Sequence, residues 1–198
     1  MALLKSAWEI ALEKTANIEA DPEKIREEMA FTDGRRLAGS YLTDLENDGK
    51  AIKNEYQTAS DEKKEILKKA FGTTILLNIA LPQSEEYEQR IEKMIYIATI
   101  IDGEQGEITL LLDHVGQFMG KYLNARDSLL ERAREQYEPH WQQKRERMMQ
   151  QYGKADGLSL DQDPEFINLV QKSFAQLSEQ YQQVLDEAKE QIKENWNL

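Results

Sequence analysis

The chain predicts an all-α fold: a helical bundle carrying a long antiparallel two-helix hairpin. Three observations carry this expectation. The 198 residues include only four prolines and ten glycines, while Ala, Leu, Glu, Gln and Lys, which lose little freedom in a helix, are abundant. Apolar residues recur at three- and four-residue spacing through most of the sequence. From Glu107 to Tyr152, forty-six residues keep a helical pattern past a single true breaker, Pro139.

Taken in order, the first helix is expected over Ala2 to Ala16, with Leu4, Ala7, Trp8, Ala11 and Leu12 on one apolar face. The second starts at Asp21, whose side chain suits free amides. Pro22 fits the first helical position and Glu23 the positive end of the dipole. It extends to about Leu45 with Ile25, Met29, Leu37, Tyr41 and Leu45 inward, Asp33-Gly34 being able to bend or break it. Asp48-Gly49 ends that unit, and a short helix follows over Lys50 to Thr58. Ser60-Asp61-Glu62 caps a fourth helix that carries Ile66, Leu67, Ala70 and Phe71 to Leu81, where Pro82 stops it. Ser84 opens a fifth, ending at Ile101. The runs Ile75 to Leu81 and Ile95 to Ile101 are apolar on nearly all sides and predict the two most buried helices, their β-branched residues leaving a strand as the alternative. Asp102 to Gly106 is a turn.

The long segment changes character along its length. Seven of the twelve residues from Ile108 to Met119 are large and apolar, against eleven of thirty-three from Gly120 to Tyr152 even when alanines count. Residues 104–119 are therefore a root packed on an N-terminal bundle of residues 1–103, and the rest of 104–198 projects. Residues 153–162 reverse the chain. Asp163-Pro164-Glu165 then repeats the capping pattern of Asp21 and opens a last helix to about Trp196. Its thirty-three residues match the thirty-three from Gly120 to Tyr152, roughly 50 Å each. The last helix has a seven-residue repeat, with Ile167, Phe174, Tyr181 and Ala188 at one position and Val170, Leu177, Val184 and Gln191 at the other, which predicts coiled-coil-like packing. The preceding arm fits eleven better, through Met119, Leu130, Trp141 and Tyr152, with Tyr122, Ala133 and Lys144 as a second row.

Composition excludes several function classes. With no cysteine there is no disulfide, thiolate metal site or thiol nucleophile, and a reducing, cytoplasmic setting is the expectation. Glu9 and Glu13 interrupt the first apolar run, so it does not read as a signal peptide. The longest apolar runs are about seven residues, far short of the roughly 18 of a membrane span. The net charge of −12 is uneven: residues 121–154 carry 8 basic and 5 acidic groups, net +3, and residues 155–198 carry 3 and 9, net −6. A polyanion such as nucleic acid meets a repulsive field overall.

Few patterns carry chemistry. His114 and His140 lie in no Glu-x-x-His pair of the kind that brings metal ligands to one face. Asp161, Asp163 and Glu165 alternate like the start of a calcium loop, but Phe166 and Lys172 stand where that loop needs glycine and glutamate, so capping is the better account. Gly116 and Gly120, each costing roughly 1 kcal/mol in a helix interior, point to a close helix crossing. Gly34-Arg35-Arg36 lacks the rest of a phosphate loop.

The opening Ser6-Ala7-Trp8-Glu9-Ile10-Ala11-Leu12-Glu13 resembles a group of bacterial helical proteins with no assigned function. So does the segment from Phe118 through Tyr137-Glu138-Pro139, Lys144-Arg145 and Tyr152-Gly153 to Asp161-Gln162-Asp163-Pro164-Glu165-Phe166. The resemblance implies a bacterial, helical, cytoplasmic protein. It brings no activity, cofactor or functional residue.

The leading expectation is a non-enzymatic interaction or assembly protein, a scaffold or adaptor, that uses its hairpin to meet a protein partner or a second copy, as in a homodimer. The expected surface comprises Trp141, Lys144, Arg145, Arg147, Met148, Met149, Tyr152, Phe166 and Phe174, since Trp, Met and Arg are enriched at interfaces. No cofactor, metal or catalytic residue is expected. The alternatives are an enzyme or small-molecule binder using Asp113, Glu104 or Glu107 with His114, and contact with an anionic surface through residues 121–154.

Overall fold

A computed structural model describes residues 21–152 and 159–198; the first predicted helix and most of the reversing loop lie outside the described residues. The described residues form six α-helices and no strand: α1 (Pro22–Thr43), α2 (Lys50–Thr58), α3 (Asp61–Asn78), α4 (Tyr87–Asp102), α5 (Glu107–Tyr152) and α6 (Pro164–Trp196), with a 3-10 turn at Leu160–Gln162. The run Ile95 to Ile101 is thus helical throughout, and that from Ile75 is helical as far as Asn78. Local chemistry accounts for several starts. Asp21 Oδ1 accepts the Glu23 amide at 3.0 Å ahead of Pro22. The Ser60 hydroxyl accepts the Lys63 amide at the head of α3, and the Asp163 carboxylate accepts the Glu165 amide at 2.8 Å at the head of α6. Helix α4 opens at Tyr87 rather than at Ser84, and α3 ends at Asn78 rather than Leu81.

Asp33-Gly34 does not break α1. Gly34 is where α1 meets α3, because a methyl group there would lie 2.8 Å from Ala70 Cβ and 3.1 Å from Leu67 Cδ2. The glycine is required by the approach of two helices, so the helix runs straight through it. Burial on α1 is narrower than its periodicity predicts. Tyr41 and Leu42 are buried, but Ile25, Met29 and Leu45 are 44%, 62% and 55% exposed. Leu77 is likewise exposed within the run from Ile75, although Ile75 and Ile79 are buried.

A cation holds the end of α1. Lys93 on α4 is buried, and its Nζ donates to the carbonyls of Tyr41, Asp44 and Asn47 at 2.9, 2.5 and 3.3 Å. The ammonium also sits 4.4 Å from the centre of the Tyr41 ring. Three donors on a positive group meet one carbonyl of the last turn, Tyr41, and two of the turn that follows, Asp44 and Asn47, at the end of the dipole that favours positive charge. Burial, with the charges of Tyr96 and Asp48, pushes the Tyr41 hydroxyl up to about 12.

Helices α5 and α6 are antiparallel along their whole shared length. Glu107 accepts from Asn195, the Tyr122 hydroxyl lies 3.0 Å from that of Ser178, and Tyr137 donates to Glu165. The base of this hairpin belongs to the bundle. Ile108, Leu112, Val115 and Met119 of α5 share one core with Leu185, Ala188, Ile192 and Trp196 of α6 and with residues of α1 to α4. The core therefore takes in the first turns of α5 and also the last turns of α6, which close it. Trp196 is 1% exposed, abuts Gly72 of α3, and donates from its indole to Asp102 at 2.8 Å. The two glycines of α5 act as predicted for a close crossing: a methyl on Gly116 would lie 2.8 Å from Ile91 Cγ2, and one on Gly120 2.9 Å from the Tyr87 hydroxyl. Helix α5 continues as one element through Pro139.

Candidate functional site

Arg126 donates to the Gln83 carbonyl at 3.1 Å; farther out, the tip of the hairpin is fastened by a polar clasp. Lys144 Nζ lies 3.0 and 2.8 Å from the two oxygens of Asp163. The Lys144 ammonium also reaches within 3.5 Å of Glu165, whose Oε2 accepts from the Tyr137 hydroxyl at 3.1 Å and lies 3.3 Å from His140 Nε2. Arg134 joins the 3-10 turn through Asp161 at 3.2 Å. Burial pushes the Asp163 carboxyl up, but the hydrogen bonds from Lys144 and the Glu165 amide outweigh it and leave the group below its ordinary value. The same Asp163 bond raises Lys144. Burial, then the bond to Glu165, pushes Tyr137 up to about 12. The charges of the clasp pair α5 with the 3-10 turn and with the head of α6, which suits fastening two segments of the chain rather than receiving a substrate.

The predicted surface residues divide. Trp141 and Phe166 are 5% and 3% exposed, packed inside the hairpin, and Phe166 lies against the Tyr137 ring at 5.4 Å. Trp141 and Phe166, expected on the outer surface of the hairpin, thus face inward: two helices alone can bury a large aromatic if it faces the seam. Lys144 is committed to Asp163. Arg145, Arg147 and Met149 are exposed, while Met148 and Phe174 are half-buried. The side chain of Tyr152 lies outside the described residues.

The residues considered for catalysis do not converge. Asp113 is exposed and accepts from its own-helix neighbour Gln117, and Glu107 accepts from Asn195. Glu104 is exposed in the turn before α5. Among the described residues no three His, Asp or Glu side chains are grouped to hold a metal ion. No described helix is long and apolar enough to cross a membrane.

What stands open is a groove between α5 and α6. Its outer section, 570 Å³, is floored by Leu129, Ala133, Leu169 and Leu177. Its root section, 330 Å³, is floored by Leu111, Phe118, Val184 and Leu185. The α5 residues of the two sections, from Leu111 to Gln136, are 25 positions apart, which is close to seven full turns, and those of α6, from Leu169 to Gln191, are 22 apart, close to six. Both sections therefore lie on one side of the hairpin and form a single furrow roughly 40 Å long. Of the twenty-three residues lining it only Lys121, Arg132 and Glu187 are charged, whereas 31% of the whole chain is. Depletion of charge, with apolar and neutral amide side chains in its place, distinguishes the core of an interface from ordinary surface.

The period of α6 explains why this was missed. Its buried positions are Phe166, Leu185, Ala188, Ile192 and Trp196, so the seven-residue repeat places Val184 and Gln191 at core positions that the structure leaves exposed. Ile167, Leu169 and Val184 are 38%, 41% and 44% exposed. An apolar stripe wider than one seam signals a second contact face, and that width was readable.

Residues 53–194 match the model of a family of unknown function (DUF6657). No curated protein and no solved structure matches the chain.

Proposed function

The chain belongs to the DUF6657 family, and we propose that it is a non-enzymatic assembly protein whose hairpin receives a helical protein partner along the furrow between α5 and α6. One observation carries the reading. A 40 Å furrow, roughly as long as a 25-residue helix, is depleted of charge on a chain that is 31% charged as a whole. Two helices bury what points straight into their seam, such as Trp141 and Phe166, but leave its flanks open. The half-buried Leu129 and Leu177 and the exposed Leu169 and Val184, all lining the furrow, leave apolar area facing water, and each square ångström of it removed from water by a third helix contributes about 25 cal/mol. An amphipathic helix laid in a groove is a recurrent recognition mode.

Photo-crosslinking in the cells of origin tests this. A photoreactive side chain at Ser128 or Ser173, both lining the furrow, yields a protein adduct. At Glu138, exposed and about half a helical circumference from Leu129, it yields none. Equal adducts at all three positions, or no adduct at the first two, refute the reading.

A further inference from the structure

We propose that the cavity where α3, α4 and α5 meet binds an α-amino acid with an apolar side chain, a ligand that carries an ammonium and a carboxylate on one carbon. The cavity, about 450 Å³, is walled by the connection from Asn78 to Ser84, by one face of α4 and by Met119 of α5. Its size falls within the roughly 300–1,000 Å³ of small-molecule sites. It shares no lining residue with the furrow between α5 and α6, so it stands or falls independently of the assembly reading.

The sequence of α4 builds the site along one helix face. Helical spacing aligns Glu86 with Arg90, and Tyr87 with Ile91 and Met94. Glu86 and Arg90 are exposed at the rim, whereas Ile91, Met94 and Met119 are buried at the floor. An acid four residues ahead of a base is the spacing at which an exposed helix forms an ion pair. Among the described residues neither Glu86 nor Arg90 is in one, although Glu65 and Lys68 of α3 do pair. Asn78 leaves a further acceptor: its amide nitrogen donates to the Thr74 carbonyl at 2.8 Å, so its side-chain oxygen is the free end. The Tyr87 hydroxyl is the matching donor. Burial raises it above its ordinary value, and it stays protonated at neutral pH. The rim thus holds two unmatched sets, the acceptors Glu86 and Asn78 and the donors Arg90 and Tyr87. An ammonium only donates and a carboxylate only accepts, so a zwitterion satisfies both sets, whereas a simple anion or cation leaves one of them unmet. An apolar side chain then rests on Ile91 and on two methionines, which adapt to varied shapes. The wall is already fixed, because Arg126 holds the Gln83 carbonyl, and a preformed site loses little to ordering.

Isotope-labelled methionine methyl groups in the full chain read the site directly. Met94 and Met119 line the cavity, whereas Met29 on α1 and Met148 and Met149 near the tip of the hairpin do not. Leucine, methionine and phenylalanine are titrated in turn as free amino acids. At least one is expected to shift Met94 and Met119 saturably, with a Kd of about 1 mM or tighter, and to leave Met29, Met148 and Met149 in place. For the best of the three, the analogue without the ammonium and the analogue without the carboxylate are each expected to bind about tenfold more weakly, since each loses hydrogen bonds to a charged group. Arg90→Gln is expected to weaken the amino acid about tenfold and leave the analogue without the carboxylate unaffected; Glu86→Gln does the same for the analogue without the ammonium. Both side chains are exposed, so circular dichroism is expected to stay unchanged. No saturable shift at Met94 and Met119 with any of the three, or equal shifts at all the methionines, overturns the site. An analogue that binds as tightly as its parent, or variants that leave affinity unchanged, overturns the recognition of a zwitterion.

Discussion

Helices α5 and α6 are paired along their length, yet their two ends are held by different physics. At the base, Leu112, Leu185 and Ile192 are fully buried because α3 and α4 complete the enclosure. Farther out, Leu129, Phe174 and Leu177 face the same neighbour helix and remain half-buried, and fastening passes to the ionic clasp around Asp163. Among the described residues, one helix pair is core at one end and a two-helix spar at the other. In the spar only side chains that point into the seam, such as Trp141 and Phe166, are buried, whereas at the base the flanking positions are covered as well.

The largest test of that contrast is Trp196→Ala. The indole is lost from a site that also uses its N–H, so about 3–5 kcal/mol of global stability goes with it, and thermal melting is expected to fall for the whole molecule. If the tip loosened while the body melted unchanged, the base of the hairpin would not be part of the core. Gly116→Leu comes next. The added side chain starts 2.8 Å from Ile91, and overpacking of this kind costs about 1–3 kcal/mol. An unchanged melting temperature would mean that α4 and α5 do not cross closely there.

These residues differ in how legible they were. Asp21-Pro22 and Asp163-Pro164 announced two helix starts because capping is decided within a few residues. Gly116 and Gly120 announced a crossing because glycine inside a helix is costly without a reason. Ile25, Met29 and Leu45 were misplaced because periodicity reports which face is apolar and says nothing about whether another element covers it. Lys93 was invisible: its three carbonyl partners lie 46 to 52 positions away in sequence, and no local pattern marks a lysine that ends another helix. The candidate surface was half legible. The hairpin followed from matched lengths, whereas the furrow lies on α6 positions that the seven-residue repeat assigned to a seam that only a third helix would complete.

The smallest expected effect separates the ends most directly. Asp163 and Glu165 both titrate below their ordinary values of 3.8 and 4.5, Glu165 chiefly through His140 and then Tyr137. A carboxylate depressed by folding contributes stability that is present above its unfolded value and is lost as pH falls through the folded one. Lys144 is raised above 10.5, so its share is lost only as pH rises beyond that. The clasp is therefore intact from about pH 5 to 10 and opens in acid. Trp141 lies one turn from Lys144 and Ile75 is fully buried in the body, so the indole resonance of the first and the methyl resonances of the second report the two ends separately. Below about pH 4 the Trp141 signal is expected to shift before those of Ile75. Asp163→Asn keeps a side chain that caps a helix equally well and removes only the charge facing Lys144; it is expected to weaken the tip by about 1 kcal/mol at neutral pH and to shrink the acid response of Trp141 without touching Ile75. Were both signals to respond together, in both proteins, the tip and the core would be one cooperative unit despite their different means of support.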